Sequence, residues 1–451
     1  MEKQWEEMST DEKHEAQWQK LLAMKDPQGN DLPFQSPEAK ASYQARMTRL
    51  KDAIEMKKTP DRVPVTILPS LWPVIKAGFT VEDAMYNYDK CTAAYKDFTI
   101  EYEPDMHMGA AAPGSGKFLE ILDYKLYSWP GHGVAPEHSY QCIEDEYMKP
   151  EEYDILLTDP SYFFSNFYLP RVFGALGGWT MLPFLPGILE IYGLAGIFVP
   201  YALPPVQQTL KALTEAGAEA LKWAESQMAL GGELMSLGYV NLLAGGFSKA
   251  PFDILGDTLR GTKGIMIDIF KRPDKLLAAL DALVPIAISM GVGASKVNGN
   301  PLVFMPLHKA ADGFLSNDQF KKFFWPTLRK VIIGLIEEGC IPFPALEGHW
   351  NSRMEIIQDI PKGKTLWMVD QSDIFKAKET LGQVACLCGN VSSSMLLLST
   401  TDEVRDYCKK LIDTVGRDGG YMMSNGAFFD EAKSENVKAM VDITKEYGVY
   451  K

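Results

Sequence analysis

The chain has 451 residues, a formal net charge of -14, 46% hydrophobic residues and 23% charged residues. That is an ordinary globular composition, long enough for one large domain or for two to three smaller ones. The acidic balance argues against nucleic acid as a partner, because phosphate binding needs a basic surface. The six cysteines are scattered and do not resemble a secreted disulfide framework, so reduced thiols in a cytoplasm are expected.

In chain order, "MEKQWEEMSTDEKHEAQWQKLL" (Met1 to Leu22) reads as a charged amphipathic helix. It has no apolar centre, so it is neither a signal peptide nor an anchor. Residues 1–60 are predicted to form an N-terminal helical extension. "RVPVTILP" (Arg62 to Pro69) and "DFTIEYEPD" (Asp97 to Asp105) are the first strand candidates. "DMHMGA" (Asp105 to Ala110) approaches the Asp-x-His-x-x-Gly signature of corrinoid-binding domains, but its glycine comes one residue early, at Gly109. A corrinoid held by His107 is therefore not expected. "APGSGKF" (Ala112 to Phe118) approaches a phosphate loop, but Ala111 and Phe118 stand where that loop needs Gly and Ser or Thr.

Residues 124–205 read as an insertion. "YSWPGHGV" (Tyr127 to Val134) and "SYFFSNFYLPRVFG" (Ser161 to Gly174) supply aromatic rings, and His132 and His138 lie in a Gly/Pro-rich loop. Leu176 to Val206 is apolar, with Glu190 its only charge, yet it contains five prolines. A membrane span needs about 20 unbroken apolar residues, so buried loop and short helix beside a pocket or subunit interface is expected, with no membrane partner.

The second half alternates regularly. "LGYVNLLAGG", "PLVFMPLH", "CIPFPALEG", "KTLWMVD", "VACLCGN" and "GYMMSNG" read as strands. Between them lie helices beginning near Ser316, Asn351, Ser372 and Thr401, and "SENVKAMVDITKEYG" closes the chain. Such alternation predicts parallel βαβ units, and over residues 61–451 a (β/α)8 TIM barrel. A doubly wound open sheet is the other arrangement with this pattern. Active sites of TIM barrels lie at the C-terminal ends of the strands. The polar residues there are His308, Glu347, His349, Asp370, Asn390 and Asn425. Each alone could cap the next helix; together they predict a site.

Within "PFPALEGHWNSRM", Glu347 and His349 are separated by one glycine. They could bind a metal, with His308 or Asp370 as a third ligand. They could instead move a proton, with His349 as donor and Glu347 orienting it. In a purely structural role, Glu347 would pair with Lys309 or Arg353. Trp350, Asn390, Asn425 and His132 are candidate substrate contacts. The two cysteines of "CLC" (Cys386 to Cys388) suit packing in a buried strand better than metal binding.

Longer segments resemble the uroporphyrinogen decarboxylase superfamily. They include "ADGFLSNDQFKKFFWPTLRKVI" (Ala311 to Ile332), "DIFKAKETLG" (Asp373 to Gly382), "CLCGNVSSSMLLLSTTDEVRDYCKKLID" (Cys386 to Asp413) and the final helix. The resemblance is clear from about Phe252 onward and implies a single barrel. The family's decarboxylases act without a cofactor on a tetrapyrrole, gripping its carboxylates with an Arg-rich loop after an early strand. Here that place reads "PSLWPVIKAGF", without arginine, which argues against such a polyanionic substrate. The thiol-methylating members hold zinc through His-x-Cys and a later Cys. Those places resemble Glu347-Gly348-His349 and Asn425-Gly426, with both cysteines missing.

The Glu-Gly-x-Trp pattern and "EYMKPEEYD" look more like the branch that demethylates methoxylated aromatic compounds in anaerobes. The resemblance then implies a cytoplasmic methyltransferase passing a methyl group from a small methoxylated aromatic substrate to cobalamin on a separate corrinoid protein. Glu347, His349, His308 and Asp370 would be catalytic. Zinc on Glu347 and His349 is a candidate cofactor, and a homodimer a candidate assembly. The alternative is a cofactor-free decarboxylase or lyase.

Overall fold

The computed structural model describes residues 3–26, 29–110, 114–182, 191–243 and 245–451. Six parallel strands lie side by side in chain order: Gly246–Phe247, Leu302–Leu307, Ile341–Leu346, Leu366–Val369, Cys386–Gly389 and Tyr421–Met422. Two extended segments close the sheet. Val65 bridges Met423, Thr66 bridges Met106, and the His107 N–H donates to the Val240 carbonyl at 2.9 Å. The ring thus passes through residues 63–68, 105–107 and 240–242 and returns on itself as a (β/α)8 barrel.

Period-two alternation sorts the side chains of each strand. Phe343, Ala345, Leu366, Met368, Cys386, Cys388 and Met422 share one cluster with Leu68 and Met106, inside the ring. Val303, Met305, Leu307, Trp367, Val369 and Leu387 belong to another, against the helices outside. The two cysteines of the "CLC" run therefore face the barrel interior, and burial pushes the Cys388 thiol up to about 12. The same alternation, continued past each strand, puts His308, Glu347, Asp370 and Asn390 on the inner face at the C-terminal end.

The N-terminal helices Thr10–Leu22 and Pro37–Glu55 start at the caps Ser9 and Ser36. Their Trp18, Tyr43, Met47 and Leu50 close the barrel floor against Leu302 and Ile341. Asp105, fully buried, accepts hydrogen bonds from Arg49 (2.6 Å), Arg62 (2.7 Å) and the Val65 N–H (2.8 Å). A carboxylate so enclosed is viable because both cations and a backbone donor meet it.

Three expectations are corrected. The strand expected over Asp97 to Asp105 is mostly the helix Tyr88–Tyr102. Asn87 caps it, and Cys91, Ala94, Tyr95, Phe98 and Tyr102 form its buried stripe, so a 3.6-residue period wins over the β-branched content. Only the segment just beyond it joins the barrel. Second, the cap of the helix Ile374–Glu379 is Asp373 and not Ser372, because the Ser372 hydroxyl already accepts the Trp350 N–H at 2.8 Å. Third, the apolar stretch from Leu176 to Val206 is not buried throughout. Residues 183–190 lie outside those described, while Ile191, Tyr192, Phe198 and Val199 are exposed. Short turns between prolines give them no continuous face to bury.

The segment expected as an insertion contains three short strands, Tyr127–Pro130, Gly133–Val134 and Gln141–Cys142, and the long helix Pro204–Ser236 follows it. Among the described residues, one helix, Pro273–Asn298, is long and apolar enough to cross a membrane. Its Leu276, Ala279, Leu280, Leu283 and Ala287 are buried in the barrel's outer core.

Candidate active site

The site is built around His308. It follows the strand Leu302–Leu307, and Asp253 secures that turn: its carboxylate accepts the backbone N–H of His308 at 3.1 Å and of Lys309 at 2.9 Å. Asp253 ends the short helix Pro251–Asp253, and Asp257 lies four residues on, in the π-helical turn Ile254–Leu259. Such wide turns often re-aim side chains at functional sites. Asp257 Oδ2 lies 2.6 Å from His308 Nδ1 and 2.5 Å from Lys249 Nζ, and Lys309 Nζ lies 3.4 Å from the other oxygen. On the far side of the ring, His308 Nε2 lies 3.6 Å from Glu347 Oε1. Asp257, His308 and Glu347 therefore form a chain that ends in the barrel mouth.

The electrostatics follow from this order. Burial works against a charge on His308, but the bond to Asp257 and the Glu347 carboxylate outweigh it and raise its pKa to about 10. Burial likewise opposes ionisation of Asp257, yet His308 and Lys249 hold its carboxyl well below the usual range. Asp253 is pushed up to about 7 by burial and by Asp257 beside it. The carboxyl of Asp370 is raised by burial, against the Gly348 N–H that it accepts at 2.9 Å.

Glu347 and His349 diverge. Gly348 has a φ of +80°, which turns the chain out of the strand. Glu347 stays at the mouth, half-buried beside His308, and His349 is exposed. Neither structural partner expected for Glu347 is engaged by it. Lys309 pairs with Asp257, and Arg353 is buried, donating to Asn317 and to the carbonyls of Leu315 and Ala310.

The expected substrate contacts fare differently. Trp350 is a core residue: fully buried, it packs edge-on against Phe320 and Phe324, and its Nε1–H donates to the Glu347 carbonyl at 3.0 Å. It supports Glu347 from behind. Asn425 is also fully buried and faces away from the mouth, accepting the Leu68 N–H at 2.8 Å and donating to the carbonyls of Leu68 (3.0 Å) and Ala427 (2.7 Å). It fastens the last strand to the first. Asn425→Ala is therefore expected to lower stability by about 2 kcal/mol, since it strands buried backbone groups; thermal melting would show this. Asn390 reaches the mouth, but its amide donates to the carbonyls of Asp370 (3.2 Å) and Ser372 (3.1 Å), and its oxygen accepts from Tyr407. His132 stacks on Trp129 and lies 2.8 Å from Glu120.

Sequence reasoning missed Lys249, Asp253, Asp257 and Tyr140. "FDILGD" does contain two acids at helical spacing, which share a face, but nothing in it tells that this face meets His308. Tyr140 comes from the insertion. Burial and the nearby carboxylates of Asp430 and Glu347 raise its phenol pKa. It meets Tyr127 edge-on at 5.5 Å.

A zinc ion needs about four ligands, three of them from protein in a catalytic site. Among the described residues, no three His, Cys, Asp or Glu side chains converge in that way. His308 Nε2 faces Glu347 Oε1 at 3.6 Å, but His349 has turned away, so no third ligand joins these two. The residues as arranged do not fit a zinc site.

Residues 234–447 match the uroporphyrinogen decarboxylase (URO-D) family model. No curated protein matches the chain. Among solved structures, a methyltransferase from Methanosarcina mazei is similar over 89% of this chain and 98% of its own, with a TM-score of 0.57 and 18% identity. At that identity the likeness shows the fold. Residues 234–447, which carry the strands from Gly246–Phe247 to Tyr421–Met422, thus resemble the uroporphyrinogen decarboxylase family, and the closed ring as a whole shares its fold with the Methanosarcina mazei methyltransferase.

Proposed function

We propose that the protein is a methyltransferase that takes the methyl group from a small methoxylated aromatic compound and passes it to a corrinoid carried by a separate protein. The observation that carries this reading is the Asp257–His308–Glu347 chain, which ends in the mouth with a proton to give. An aryl methyl ether is inert because phenolate is a poor leaving group. It becomes reactive when its oxygen is protonated as the C–O bond breaks. The corrinoid supplies the nucleophile that accepts the methyl group.

The protein's part is then to bind, orient and protonate. Asp257 holds His308 as an imidazolium. His308 supplies a proton through Glu347 to the ether oxygen, and the bond electrons stay on that oxygen, so the product is a neutral phenol. The 3.6 Å gap between His308 and Glu347 closes as substrate binds; catalytic contacts are often long in the free enzyme. The raised pKa of His308, about 10, keeps it protonated at neutral pH, so a proton is in place when substrate binds. The edge-on pair of Tyr140 and Tyr127 offers aromatic surface to the substrate ring.

The decarboxylase reading lacks its anchors. Arg260 and Arg353 follow mouth residues in sequence, but both are buried and turned to protein partners. The test is incubation with reduced corrinoid protein and a panel of methoxybenzenes, with metal analysis of the same sample. The expected result is a demethylated phenol whose formation requires the corrinoid protein. Bound zinc lost together in Glu347→Gln and His349→Ala would instead support a Lewis acid at those residues.

A further inference from the structure

The inner face of the barrel is filled to different degrees around the ring. On the strands Ile341–Leu346, Leu366–Val369 and Cys386–Gly389, the inward side chains Phe343, Ala345, Leu366, Met368, Cys386 and Cys388 are fully buried. A TIM barrel interior is normally packed in this way throughout. On the two strands before them it is not. Phe304, inward on Leu302–Leu307, is only partly buried. Phe247, its register partner on the neighbouring strand, shares that face and is 45% exposed. Phe428 is also partly buried and meets Phe304 edge-on, with centroids 5.7 Å apart and planes at 88°.

Phe428 reaches Phe304 from the far side of the ring. Its loop follows the strand Tyr421–Met422, four strands on from Leu302–Leu307. That loop is fastened on both sides of Phe428: Asn425 donates to the Ala427 carbonyl at 2.7 Å, and the Phe429 carbonyl accepts the Ser70 N–H at 2.9 Å. The ring is therefore set in place before a ligand arrives. Three aromatic side chains that keep accessible surface inside a barrel mark an unfilled part of its core. Aromatic walls with a few polar groups nearby are the ordinary make-up of a small-molecule pocket. The polar groups stand on the same inner face. Inward positions on Leu302–Leu307 run from Phe304 through Pro306 to His308, which lies 3.6 Å from Glu347. Phe304 and His308 are thus about 13 Å apart along the strand. An aryl ring seated edge-on against Phe304, its centroid about 5 Å away, lies between the two levels. We propose that Phe247, Phe304 and Phe428 are specificity-determining residues that seat the ring of an aryl ether, with its methoxy group directed up toward Glu347.

The identity of the ether group rests on the proposed methyl transfer; the seating of an aromatic ring does not. A ring is favoured over a saturated group of equal size, because edge-to-face contact adds to the area buried. A cation is favoured less. The carboxylates beside His308, Asp257 and Glu347, already face Lys249 and His308, so the rings offer a seat for a neutral group.

The test is equilibrium binding of methoxybenzene and methoxycyclohexane to the full chain by calorimetry, with no corrinoid protein present. The two ethers are similar in size and differ in the π-system. Methoxybenzene should bind about tenfold tighter. Phe304→Leu and Phe428→Leu keep apolar bulk and remove the ring, so each should cut that preference to about twofold. Phe428→Ala should bind 2-methoxynaphthalene at least about tenfold tighter than wild type does, a gain that loss of folding cannot produce. Equal affinity of wild type for the two ethers, an undiminished preference in both leucine variants, or no gain in Phe428→Ala would each overturn the proposal. Tighter binding of tetramethylammonium than of methoxybenzene would overturn it in favour of a cation cage. Binding that follows the expected pattern, without methyl transfer to reduced corrinoid protein, would support the seat and remove the proposed reaction. Methyl transfer from methoxybenzene with KM unchanged in both leucine variants would support the reaction and overturn the seat.

Discussion

Replacing Glu347 with Gln is expected to lower methyl transfer at least about a hundredfold, the scale on which acid–base help is lost. The change keeps size and shape and removes the group that can take a proton from His308 and release it in the mouth. Folding should survive, since the Glu347 side chain is 40% exposed at a barrel mouth, where residues serve function more than stability. His308→Gln should be as damaging. In the proton relay, His349→Ala should leave most of the rate, because the turn at Gly348 removes that ring from Glu347. Single-turnover rates of the three variants, measured at saturating substrate, separate the relay from the Glu347–His349 pairing expected from sequence.

Replacing Asp257 with Asn should change the pH dependence as well as the rate. The carboxylate holds His308 protonated, and without it the imidazole pKa should fall from about 10 toward its ordinary value. The wild-type limb that reports the acid should therefore lie at high pH, and Asp257→Asn should draw it down toward neutrality, with the rate at pH 8 falling about tenfold or more. Stability should follow. A histidine whose pKa is raised on folding contributes stability that is complete below its unfolded value, about 6.5, and is lost as pH rises through its folded value, about 10. Asp253, also raised, works in the same sense at lower pH, its contribution being lost between its usual value and about 7. Melting temperature between pH 7 and 10 thus isolates His308, and its decline there should be smaller in Asp257→Asn than in wild type.

The barrel was legible in the sequence because its second half alternates apolar runs with capped helices. The polar residue closing each run told where the mouth would be. Alternation within each strand also fixes which residues face inward, so the inner positions of His308, Glu347, Asp370 and Asn390 could be read from their parity. The same parity turns Asn425 outward, and its substrate role fails on that count. Trp350 misled because an aromatic ring next to a site looks like a wall, whereas its indole is held in the core by Phe320 and Phe324. The partner of His308 was hidden. Asp257 lies about fifty residues upstream in a wide helical turn, and no local pattern tells that this turn crosses the mouth. The first strand pairs were hard for a related reason: they are short segments joined by single bridges, too brief to show a period.

The most direct test of the central claim is the spectrum of reduced corrinoid protein, followed in a single turnover with this protein and a methoxybenzene. The account predicts that the cobalt(I) absorbance disappears only when protein and aryl ether are both present, with one phenol formed for each corrinoid methylated. Release of carbon dioxide from a carboxylated substrate in the absence of any corrinoid, with the cobalt(I) spectrum unchanged by every aryl ether, would contradict it.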